Sequence, residues 1–69
     1  MKILDVVALL DDLPESRLHR GQVGTIVEEW KSGVYEVEFA DMSGRAYASA
    51  AILENRLMPL CFEPARQAA

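Results

Sequence analysis

The chain has 69 residues, of which 51% are apolar and 26% charged, and seven basic against eleven acidic side chains leave a formal net charge of −4. That size and balance fit one globular domain with a thin core, since only roughly 60% of the unfolded surface can be buried at this length, and they exclude disordered and fibrous classes. An acidic domain repels a phosphate backbone unless its cations are gathered in one place, so nucleic acid is a disfavoured partner.

The lone cysteine, Cys61, excludes an internal disulfide framework. No second thiol or histidine stands near it at metal-ligand spacing, so no metal or cofactor is expected. Its neighbours Leu60 and Phe62 supply no cation to stabilise a thiolate. Cys61 therefore reads as a small apolar residue beside the last strand. No stretch is long and apolar enough for a leader peptide or a membrane span, which predicts a cytoplasmic protein without membrane contact.

Residues 5–10 form an apolar run long enough for a strand and too short for a free-standing helix. Asp11, Asp12 and Pro14 stop it, because proline lacks an amide hydrogen and drives Leu13 out of the helical region. A long polar loop to Arg20 follows, from which Leu13 and Leu18 are expected to tuck back as a lid on the end of a barrel. Arg17, His19 and Arg20 are the one basic cluster, and Lys31 or Arg45 can join it on folding. Arginine forks suit phosphate, but pairing with the nearby Asp11, Asp12 and Glu15 is the default. His19 as a general base would need an orienting acid or a nucleophile within hydrogen-bond reach; a solvated loop histidine is the simpler reading.

Residues 21–28 and 34–39 are rich in β-branched and aromatic side chains at period two, and the five residues between them close on Gly33, so they predict an antiparallel hairpin. Pairing Glu28 with Val34 sets Val27 opposite Tyr35, Thr25 opposite Val37 and Val23 opposite Phe39. This register hides Val23, Val27, Tyr35, Val37 and Phe39 and leaves Gly24, Ile26, Glu28, Glu36 and Glu38 outside. A one-residue slip would bury carboxylates at roughly several kcal/mol. Gly24 is the expected bend in the first strand.

Trp30, the sole tryptophan, falls in the hairpin connection. It either folds over Ile26 and Val34 or stands exposed among acids, the make-up of an interface hot spot.

Residues 40–44 make a turn, and the alanine-rich run 45–50 is read as a strand because its predecessor needs a partner, although local propensity allows helix. Ile52 and Leu53 continue it, residues 54–56 make one helical turn, and residues 57–60 form a short last strand that Pro59 confines to an edge. The predicted fold is all-β, a small partly open SH3-like barrel of about five antiparallel strands with one short helical turn before the last strand. The domain is placed at residues 1–61 and a flexible tail at 62–69.

No catalytic constellation emerges, so the chain is expected not to be an enzyme but a non-catalytic protein-interaction module. Its expected partner-binding residues are Ile26, Glu28, Trp30, Val34, Glu36 and Glu38, with homodimers formed edge to edge as a further expectation.

In order, Leu4-Asp5-Val6-Val7-Ala8-Leu9, Asp12-Leu13-Pro14-Glu15, Gly21-Gln22-Val23-Gly24-Thr25-Ile26-Val27-Glu28 and Tyr35-Glu36-Val37-Glu38-Phe39-Ala40-Asp41 resemble a family of short bacterial proteins known as a domain of unknown function. The resemblance spans about residues 3–60. It implies a small β-barrel from mobile or toxin-associated gene neighbourhoods, hence an antitoxin-like or immunity-like partner of a toxin or enzyme subunit, and no activity. The stretch from Leu13 to Val27 is also similar to the nitrile hydratase β-subunit barrel, whose metal ligands lie on the other subunit, and to KOW domains. The KOW likeness implies the alternative, a nucleic-acid-binding barrel using Arg17, Arg20, Lys31 and Arg45.

Overall fold

In the computed structural model, which describes residues 1–65, five strands follow one another: β1 (Val6–Leu9), β2 (Val23–Lys31), β3 (Val34–Ala40), β4 (Ala46–Leu53) and β5 (Leu57–Pro59). All pairings are antiparallel, in one open sheet of order β4-β3-β2-β1-β5. Single 3-10 turns at Pro14–Ser16 and Glu54–Arg56 are the helical pieces among the described residues. The architecture is all-β and compatible with the SH3-like barrel that the spacing predicts. Of the expected tail, residues 62–65 form no helix or strand, and 66–69 lie outside the described residues.

β3 organises the core, because its alternation is clean. Tyr35, Val37 and Phe39 are buried and Glu38 is exposed. Val7, Leu9, Ile26, Ile52 and Leu57 pack with them, and Leu13 and Leu18 close one end. Those two leucines exchange backbone hydrogen bonds of 2.8 and 3.1 Å across the tight turn that Pro14 initiates, so the expected lid is present.

β2 departs from the predicted register. The pairs are Gly24 with Phe39, Thr25 with Glu38, Ile26 with Val37, Glu28 with Glu36, Glu29 with Tyr35 and Lys31 with Val34, with Val27 and Trp30 as extra, bulged residues. Ile26 is therefore fully buried while Val23 and Val27 are 45% and 40% exposed, the reverse of the expectation.

Steric fit explains the change. A Cβ on Gly24 would lie 2.7 Å from Val37 Cγ1, 2.8 Å from the Glu38 carbonyl oxygen and 3.0 Å from Phe39 Cδ1, so only glycine lets the Phe39 ring lie across this strand. Gly24 serves close approach, and the bend falls instead at Gly21, whose φ is 90°. With Ile26 turned in, a regular strand would also turn Glu28 in. The bulge at Val27 supplies one residue and returns Glu28 to the outside.

Because Glu29, Trp30 and Lys31 extend β2, the connection shrinks to Ser32 and Gly33, the latter at φ 81°. β4 is a strand despite its alanines: pairing with β3 buries Ile52 and half-buries Ala48 and Ala50 against the core. Tertiary pairing outweighs a helix preference of a few tenths of a kcal/mol per residue, roughly.

Candidate interaction surface

The outward face of β2, β3 and β4 is the most organised polar surface of the molecule. Glu36 sits at its centre, opposite Glu28 on one side and Ala51 on the other. The bulge at Trp30 swings the indole over this face, where Nε1 donates a 2.8 Å hydrogen bond to Glu36 Oε1. The Ser49 hydroxyl donates to Glu36 Oε2. Three strands are thus tied through one carboxylate, which eases the like-charge juxtaposition of Glu28 and Glu36.

The rest of the face is open. Trp30 remains 59% exposed and Leu53, paired with Val34, is 53% exposed. Glu28 and Glu38 are exposed, and Val34 and Glu36 are half-buried. The single ion pair among the described residues joins Arg56 Nε to Asp11 Oδ2 at 3.5 Å, away from this face. Glu28, Glu36 and Glu38 therefore have no cation at ion-pair distance among the described residues.

Of the six expected partner-binding residues, five share or border the surface: Glu28, Trp30, Val34, Glu36 and Glu38. Ile26 does not, because the true register turns it into the core beside Val37. The sequence reading missed Ser49 and Leu53, which β4 brings alongside. Their positions in the run Tyr47-Ala48-Ser49-Ala50-Ala51-Ile52-Leu53 carry the period-two signal that would have found them.

The other candidates disperse. Asp11 and Asp12 are engaged by Arg56, through the ion pair and through Nη2 on the Asp12 carbonyl at 3.1 Å, and Asp12 Oδ1 accepts the Arg20 backbone N–H at 2.8 Å. The expected ion pairs of Arg17 and Arg20 with these acids do not form. A cavity of about 340 Å³ beside that loop is lined by Asp12, Pro14, Arg17, Leu18 and His19. The exposed His19 makes its hydrogen bond with its backbone N–H, to Gln22, and no hydrogen bond joins its ring to Asp11, Asp12 or Glu15. Cys61 lies beyond β5 and is exposed rather than packed.

Among the described residues two groups have shifted proton affinities, both with structural causes. Burial pushes the Tyr35 phenol up, helped by its hydrogen bond to Glu54 and the nearby charges of Glu29, Glu54 and Asp5. Its hydroxyl lies 3.2 Å from both Glu54 Oε1 and the Met1 carbonyl. In the turn between β3 and β4, the Ser43 hydroxyl and the backbone N–H groups of Arg45 and Ser43 hold the Asp41 carboxyl below its ordinary value. These bonds, at 2.6, 3.0 and 2.9 Å, brace the hairpin and belong to folding. No helix among the described residues is long and apolar enough to cross a membrane.

Fold and surface together define a small all-β domain with an acidic, tryptophan-bearing sheet face. A family model described as a domain of unknown function (DUF4926) matches residues 3–59, so the chain belongs to that family. No curated protein and no solved structure matches it.

Proposed function

We propose that this domain is a non-catalytic protein-interaction module that grips a basic partner through the outward face of β2, β3 and β4. The observation that carries the reading is the row Glu28, Glu36 and Glu38, with no cation at ion-pair distance among the described residues and flanked by exposed Trp30 and Leu53. An amphipathic aromatic beside unpaired charges supplies buried area together with steering, the combination that anchors interfaces. An antitoxin-like or immunity-like partner of a neighbouring gene product, a toxin or an enzyme subunit, is the form this role takes in our reading.

The nucleic-acid alternative has weaker support. Arg20 and Arg45 stand at one end of the β2–β3 hairpin and Lys31 at the other, roughly 25 Å away at the rise of an extended strand. Lys31 therefore stands apart from Arg20 and Arg45.

Calorimetric titration of the purified domain with the product of the adjacent gene tests the proposal. Trp30→Ala and Glu38→Lys should each weaken binding about tenfold or more. Absence of binding at low salt, or binding indifferent to both substitutions, would overturn it.

A further inference from the structure

The hydrogen-bond phase of the sheet distinguishes its two edges. The Glu54 N–H donates to the Gly33 carbonyl at 2.8 Å, which marks residues 33 and 54 as a hydrogen-bonded pair. In an antiparallel ladder such pairs alternate with non-bonded ones. Along the observed register, Ile52, Ala50 and Ala48 thus direct N–H and C=O toward β3, while Leu53, Ala51 and Ser49 direct theirs away from it.

β4 is the last strand on that side, so the outward N–H groups of Ser49, Ala51 and Leu53 have no strand partner among the described residues, while the Leu53 carbonyl caps the 3-10 turn that follows. Ser49, Ala51 and Leu53 are all exposed, and the eight residues of β4 contain no charge and no proline. Sheet edges are ordinarily blunted by one or the other.

We infer that the outer edge of β4 is a docking site for an extended segment of another protein, basic on one set of alternate residues and apolar on the other. This rests on the interaction role proposed above and names where and how the partner lies. A strand added to β4 sits roughly 4.8 Å from it and about 9.6 Å from β3. On the outer face its side chains would cross only Ser49 and Ala51 to meet Glu38 and Glu36, a span that lysine or arginine can bridge. On the inner face its apolar side chains would continue the core past half-buried Ala48 and Ala50.

Charge selects this occupant over a second copy. β4 offers no cation of its own, and self-pairing would set two carboxylate rows on one continuous face of chains that each carry −4. Its outward side chains are mostly small, so a β4 to β4 contact also buries little of the about 1,000 Å² that a stable interface needs.

The test uses the full chain and a short peptide of alternating lysine and valine, compared with the same peptide N-methylated on alternate backbone nitrogens. The unmodified peptide should bind, the methylated one at least about tenfold more weakly, and the affinity should fall with salt. Ala51→Pro removes only an outward N–H and should abolish binding while preserving the fold. In the wild-type chain, hydrogen exchange at the amides of Ser49, Ala51 and Leu53 should slow on adding peptide, a readout that does not depend on any variant folding.

Unchanged exchange at those three amides, or failure of the peptide to bind, overturns the inference. Binding that survives both N-methylation and Ala51→Pro yet is lost in Glu38→Lys also overturns it and leaves the acidic face as the partner surface. A concentration-dependent dimer dissolved by Ala51→Pro would replace the basic segment with a second copy.

Discussion

The two edges of this sheet are consecutive strands joined by one 3-10 turn, yet one is closed and the other open. At β5, the Leu60 N–H bonds to the Val6 carbonyl at 2.9 Å and the Leu10 N–H to the Arg56 carbonyl at 3.0 Å, so Met58 shares the inward phase and Leu57 and Pro59 face out. The outward N–H of Leu57 is taken by the Glu54 carbonyl in the preceding 3-10 turn, and Pro59 has none to offer. β5 therefore presents no free donor within its three residues. β4 presents three on alternate residues, beside an acid row. Closure at β5 thus needs one proline and one turn, and the openness of β4 is a local property of its composition.

Substitutions that break or sharpen this contrast can be ranked. Phe39→Ala removes the largest fully buried side chain, at a cost of about 3–5 kcal/mol against a total of about 3–10 kcal/mol for a domain of this size. Both edges should disappear together, seen as loss of amide dispersion in an NMR spectrum. Gly24→Ala should approach the same result, since the added Cβ meets backbone and ring atoms at 3.0 Å or less.

Next comes the proline pair. Ala50→Pro removes a ladder bond to β3 and should lower the denaturation midpoint well below that of Ala51→Pro, which removes a solvent-facing donor. Equal destabilisation of the two would refute the assigned phase. Pro59→Val should open the second edge with little change in stability. The gain would register as a rise in concentration-dependent association by light scattering.

The smallest effects are in pH dependence. Because the folded-state pKa of Tyr35 is raised above its unfolded value of 10.0, the stability it contributes is full below that value and lost as pH rises through the folded one. Tyr35→Phe should be somewhat less stable near neutrality, having lost the hydrogen bond whose single proton is shared between Glu54 Oε1 and the Met1 carbonyl, but should show a shallower alkaline decline. Asp41 behaves oppositely: its depressed pKa contributes stability above the ordinary value of 3.8 that disappears as pH falls through the folded one. Asp41→Asn should flatten the acid limb of a denaturation series.

What the sequence determined by itself were the elements whose signal is local and unopposed. The apolar run before Asp11, the alternation of Tyr35, Val37 and Phe39 with Glu36 and Glu38, the stop at Pro14 and the edge role of Pro59 follow from side-chain chemistry over a few residues. The acidic face was legible for the same reason, since β3 alone dictates which of its carboxylates stay wet.

The face of β2 was decided by the tertiary structure. Its run alone favours Val23, Thr25 and Val27 inward, because turning Gly24 and Ile26 in would carry Glu28 in with them, and the structure reverses that choice where the Phe39 ring fits only against glycine. Two bulges then shift the register, and no period-two count can anticipate an inserted residue. The bond between Trp30 and Glu36 and the open edge of β4 arise from the same pairing, because hydrogen-bond phase exists only once two strands have met.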